Sequence, residues 1–177
     1  MALSTFEGPV KSLGGFYSQG PNTVINLANG TNTVTLDVPT YAGKVIRTND
    51  ATLVITLPTI VTTASATSAG PGTDPNTLNN IGTSYTFFIE TAATAVSIAT
   101  DGTDKFVGSM LMVATDASGA TTGYAPAAAN DYINLNGTTT GGAAGSWITC
   151  TVLAANKYYV TGVLLGSSTV ATPFANS

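Results

Sequence analysis

Apolar residues recur at every second position in short bursts, and this period of two constrains the fold more tightly than any other feature of the chain. In Thr33-Val34-Thr35-Leu36-Asp37-Val38, residues Val34, Leu36 and Val38 share one face and Thr33, Thr35 and Asp37 the other. Leu53, Ile55 and Leu57 alternate in the same way, as do Tyr85, Phe87 and Ile89, and then Ile148, Cys150 and Val152 opposite Trp147, Thr149 and Thr151. Val, Ile and Thr dominate these runs, and a branched Cβ fits a pleated strand better than the crowded surface of a helix. Weaker strands are predicted at 22–27, 44–48, 95–99, 107–114, 131–135 and 157–165. About ten short strands broken by Gly, Asn, Pro and Asp clusters predict an all-β fold, an antiparallel β-sandwich or barrel, jelly-roll-like in type. Leu57, Phe87, Trp147 and Ile148 are expected in its core. No repeat of fixed period is visible, so a solenoid is not expected.

Two segments fall outside this rhythm. Residues 1–21 place Phe6, Phe16 and Tyr17 among Gly8, Pro9, Gly14, Gly15, Gly20 and Pro21 with no sustained period. Three aromatics in a stretch that cannot build its own core point to an extended N-terminal arm, docking on its own domain or on a neighbour through Phe6, Phe16 and Tyr17. Residues 22–177 are read as a single β domain, a size that suits one core. Within it, residues 60–82 form a long loop of small side chains, for which a partner contact and plain disorder are both open.

Composition narrows the function. Only 8% of the 177 residues are charged, with five Lys and Arg, nine Asp and Glu, and no His. An ordinary soluble domain carries about 25%. The absence of His removes the commonest general base and the commonest metal ligand together. Five scattered basic residues cannot neutralise a nucleic-acid backbone or hold an anionic membrane surface. Uninterrupted apolar runs reach about four residues, far short of the ~20 of a bilayer span. Neither nucleic acid nor membrane is therefore expected as a partner. Met1 to Glu7 lack a basic stretch followed by an apolar run, so no secretory signal is expected and the chain is read as staying in a cytoplasm until it assembles. About two fifths of the residues are Thr, Ala or Gly, and the mean hydropathy is +0.28. Hydroxyls are cheaper to cover than ions, so such a surface is suited to burial against other subunits.

The remaining candidates for chemistry are weak. Lys11, Lys44, Lys105 and Lys157 lie in no nucleophile motif. Cys150 alternates with Ile148 and Val152 and is expected in the core rather than in a reactive site. Asp101-Gly102-Thr103-Asp104 offers two carboxylates to Ca²⁺ but lacks the further acids of a cation loop, and Asp-Gly is also a hairpin turn. Thr139 to Gly145 is glycine-rich without the Lys or the helix of a phosphate loop. Asn29-Gly30-Thr31 and Asn136-Gly137-Thr138 match a glycosylation sequon, but both read better as Asn-Gly turns. Trp147, Tyr158 and Tyr159 could form a sugar platform, although a lone strand Trp is more often a core filler. The chain is accordingly read as a non-enzyme with no catalytic residue, no cofactor and no metal.

Several stretches carry a resemblance: Ile55-Thr56-Leu57-Pro58, Gly82-Thr83-Ser84-Tyr85-Thr86-Phe87-Phe88-Ile89, Ala95-Val96-Ser97-Ile98 and Phe106-Val107-Gly108, then Gly141 to Thr151, Lys157 to Gly162 and Ala171-Thr172-Pro173-Phe174. Over residues 40–174 the chain resembles capsid decoration, or cement, proteins of tailed bacteriophages of the marine and cyanobacterial type. Tyr158-Tyr159 departs from the Trp expected near the Lys. The resemblance implies a virion protein on the outer capsid surface, a homotrimer that binds the major capsid protein and stabilises its lattice. Phe6, Phe16 and Tyr17 would then anchor the arm at the capsid or subunit interface. Related β modules also occur in phage tail fibres that contact host glycans, which is the alternative.

Overall fold

The computed structural model describes residues 24–28, 33–63, 75–117 and 119–177. The predicted arm, with Phe6, Phe16 and Tyr17, lies outside the described residues, as does the middle of the predicted 60–82 loop. Thirteen strands follow in order: β1 (Val24–Ala28), β2 (Thr33–Thr35), β3 (Val45–Asn49), β4 (Thr52–Thr56), β5 (Ser84–Ile89), β6 (Ala95–Ala99), β7 (Lys105–Gly108), β8 (Met110–Ala114), β9 (Thr121–Tyr124), β10 (Tyr132–Leu135), β11 (Trp147–Ala154), β12 (Lys157–Gly166) and β13 (Phe174–Ala175). Among the described residues one short α-helix, α1 (Val38–Tyr41), and a single 3-10 turn, Pro75–Thr77, interrupt them. The burst read through Val38 therefore stops early. Asp37 caps α1 by accepting from the Thr40 N–H at 2.8 Å, and Pro39, in the first turn, suits a helix start and not a continuing strand.

Two sheets pack face to face as a sandwich. The larger has the order β1-β3-β5-β11-β12-β8-β9, with β7 also on β12, and the smaller β13-β10-β6-β4-β2. Between them lie Ile46, Ile55, Phe87, Ile98, Met112, Ile133, Ile148, Tyr158 and Leu164, all fully buried. Leu57, Phe87 and Ile148 are in the core as expected, but Trp147 is not: it is 40% exposed. Ile148 points inward, and the pleat sends its neighbour to the opposite face whatever its size.

Strand direction departs from the antiparallel expectation. Among the described residues six of the eleven strand pairings are parallel. From β1 to β6 the chain alternates between the sheets, so β1, β3 and β5 run parallel in one and β2, β4 and β6 in the other. These are three turns of a coil within the sandwich, a winding that the lack of a fixed repeat period did not reveal. Val24 lies beside Val45 and Thr33 beside Val54, an offset of 21 residues in both sheets. The next turn pairs Val45 with Thr86 and Val54 with Ser97. Residues 57–83 sit inside that second interval and destroy any fixed period. The β11–β12 hairpin then joins β5 antiparallel, and β10 joins β6 antiparallel, closing the same side of the coil in both sheets.

The described ends of the 57–83 connection are tied to each other chiefly through the buried side chain of Asn80. Asn80, 2% exposed, accepts from the Val61 N–H at 3.0 Å and donates to the Thr59 carbonyl at 2.9 Å. Its own N–H bonds the Val61 carbonyl at 3.0 Å. The neck of the loop is therefore a fixed part of the fold.

Candidate functional site

The acidic loop folds as a turn. Asp101 Oδ1 accepts from the Thr103 and Asp104 N–H groups at 2.9 and 3.0 Å. Asp104 turns away and accepts from the Ile60 N–H at 3.0 Å, and burial pushes its carboxyl up. Asp131, almost fully buried, receives Lys105 Nζ at 2.8 Å and the Ser177 N–H at 2.9 Å. Burial alone would raise the Asp131 carboxyl, but these partners hold it below the ordinary carboxylate range. Lys105 also donates to the Gly102 carbonyl at 2.7 Å, so an ammonium stands where a bound cation would stand. Among the described residues no group of three or more His, Cys, Asp or Glu side chains could hold a metal ion.

The other reactive groups are sealed. Cys150 is buried, and desolvation raises its thiol pKa. Tyr158, placed in the candidate sugar platform, is instead in the core and donates to the Pro58 carbonyl at 2.5 Å. An open cleft of about 340 Å³ is lined by Thr35, Leu36, Asp37, Pro58, Thr59 and Asn76. Its carboxylate and its amide are engaged locally: Asp37 caps α1, and Asn76 Oδ1 accepts from the Val38 N–H at 2.9 Å.

The feature without a local explanation is the outer face of the larger sheet. Strand register places Arg47, Phe88, Trp147, Val163 and Leu111 side by side across β3, β5, β11, β12 and β8. Phe88 is 39%, Trp147 40% and Leu111 42% exposed. Arg47, the only charge in this row, donates to the Glu90 carboxylate from its Nε and Nη2. Two residues along, about 6.8 Å, the next outward row is Val45, Thr86, Thr149 and Thr161. The Thr86 and Thr149 hydroxyls bond each other at 3.0 Å. A row of large apolar side chains thus lies beside a row of small ones whose polar atoms are partly satisfied internally. Tyr159 is exposed on the same face but beside Thr151, four residues along the strands from the Trp147–Val163 pair. Trp147 and Tyr159 therefore share a face about 13 Å apart.

Phe88, Val163 and Leu111 were not singled out from the sequence. Their outward parity was visible, since each flanks a core residue in a strand burst, but their alignment depends on register. No family model matches the chain, and no curated protein or solved structure matches it.

Proposed function

We propose that this chain is a non-enzymatic structural protein of a phage virion, binding the outside of the mature capsid and stabilising the lattice of its major capsid protein. The observation that carries the reading is the broad, nearly uncharged, partly apolar face of the larger sheet, a kind of surface that monomeric soluble domains rarely leave open. With charges at 8% of the chain, few ions need be stripped of water when such surfaces are covered. Many copies that recognise the assembled shell and not its free subunits stabilise the shell by mass action. On this reading Phe6, Phe16 and Tyr17 anchor the arm on the capsid, and a chain lacking residues 1–20 binds about tenfold more weakly or worse, a loss of ~1.4 kcal/mol.

A second reading, a tail-fibre module for host glycans, is favoured by the exposure of Trp147 and Tyr159 on one face. Immunogold labelling of purified virions separates the two. Dense, even label over the head supports decoration, label confined to the tail supports the fibre, and unlabelled virions refute both.

A further inference from the structure

The covered partner of the large outer face can be specified, resting on the reading of the chain as one member of an assembly. We propose that a second copy of this chain packs on that face about a two-fold axis, the row Phe88, Trp147, Val163 and Leu111 of each copy seating in the threonine row Thr86, Thr149 and Thr161 of the other. Three properties of the face fit itself as partner. A ridge beside a trough, about 6.8 Å apart, is self-complementary under a two-fold, the operation that brings one patch onto the same patch. The charge within these rows is Arg47, already neutralised by Glu90, so two copies meet without like-charge repulsion. Seven strands at ~4.8 Å and about six residues each give a face of roughly 600 Å² in plan. That approaches the ~800 Å² each partner contributes to a standard interface.

The chemistry favours a protein copy over a sugar. A glycan site sets polar groups around an aromatic ring so that hydroxyls find partners. Trp147 has Phe88 and Val163 beside it across the sheet and Thr149 along its strand. A three-fold ring, as the resemblance implied, joins unlike patches, whereas this face offers a like one.

Trp147 is the only Trp in the chain and sits in the row itself, so its fluorescence reports the contact directly. The full chain is examined by sedimentation equilibrium and by acrylamide quenching over a dilution series from about 50 μM, well above a micromolar Kd. The expected result is a dimer whose Trp147 is quenched several-fold less at high concentration than after dilution. Phe88→Asp and, independently, Thr149→Arg should each yield a monomer with unchanged circular dichroism; should one fail to fold, the other carries the test. A monomeric native chain, a trimer, a dimer that persists in both variants, or a dimer with Trp147 still freely quenched would each overturn the proposal. So would protection of Trp147 that appears only with added oligosaccharide or only on mature capsids, which would assign the face to those partners. Capsid binding by a monomeric chain would refute the pairing and leave the decoration reading standing. A dimer absent from virions would do the reverse.

Discussion

Asn79 and Asn80 form a matched pair in which the same chemistry meets two degrees of burial. Asn80 accepts from the Val61 N–H and donates to the Thr59 carbonyl. Asn79 accepts from the Ile81 N–H at 3.0 Å and donates to the Thr62 carbonyl at 3.0 Å. Each side chain thus makes two backbone bonds, but Asn80 is buried and Asn79 exposed. Asn79→Ala lets water replace both bonds, so its expected cost is below about 0.5 kcal/mol. Asn80→Ala leaves a donor and an acceptor facing a site with little solvent access. At ~1–3 kcal/mol for each fully buried unpaired group, discounted because Val61 and Thr59 are themselves partly open, the expected loss is about 2 kcal/mol. For a domain of this size that lowers Tm by about 4–8 °C. Urea titrations read by circular dichroism give both values. Equal losses for the two variants, or a loss at Asn80 below about 0.5 kcal/mol, would refute the claim that the loop neck is held by a buried amide.

Tyr158→Phe removes the bond to the Pro58 carbonyl and should cost about 1–2 kcal/mol, whereas Tyr85→Phe should cost less, because the buried Tyr85 hydroxyl has only the Thr83 side chain near it and makes no well-formed hydrogen bond among the described residues. Urea midpoints in the opposite order would contradict this. Gly108 has φ +112°, and a Cβ there would lie 2.4 Å from the Val160 carbonyl oxygen, so Gly108→Ala should lose about 3 kcal/mol or more; a thermal melt within a degree or two of the native chain would disprove the clash. Asp131 contributes stability that is full above the ordinary carboxylate range and is lost as pH falls through its lowered folded value. Asp131→Asn should therefore flatten the decline in urea midpoint as pH falls below the ordinary carboxylate range, and parallel profiles for the two proteins would show that the Lys105 contact is energetically idle.

Inside and outside are legible in this sequence because parity is local. Once Ile148 is inward, Cys150 and Val152 follow, and all three are buried. Trp147 lies on the outer face because the parity of its strand, and not the size of its ring, decides which way it points. The coil left a partial trace: Val24-Ile25 and Val34-Thr35-Leu36 recur 21 residues later as Val45-Ile46 and Ile55-Thr56-Leu57. Its third turn carries Phe87 and Ile98 at those inward positions and the long insertion before them, so no fixed spacing survives. Strand β9 (Thr121–Tyr124) buries no residue fully and forms by pairing with β8, which leaves no apolar alternation to read. Pairing direction had no signature either, since a half-buried strand shows the same alternation beside a parallel or an antiparallel neighbour.

The outer face belongs to a different level, because its residues come from five strands scattered between positions 45 and 166. Phe88 faces Trp147 only because Thr86 faces Thr149 on the adjoining outward row. Shifting β11 by two residues against β5 would keep every core residue inward and would still set Thr86 against Trp147 or Thr151, breaking both the ridge and the trough. Burial of the core alone does not forbid that shift, since strand pairing conserves faces under even slips. What opposes it is specific to this register, the Thr86–Thr149 hydroxyl bond between β5 and β11; the next register, β11 against β12, is pinned separately by Gly162 opposite Ile148, where a Cβ would lie 2.3 Å from the Trp147 carbonyl oxygen. The small residues that look unremarkable in the sequence are therefore what aligns the large ones. In a chain with so few charges to fix strand pairing, register is set by hydroxyl bonds and missing side chains, and the surface available for assembly follows from it.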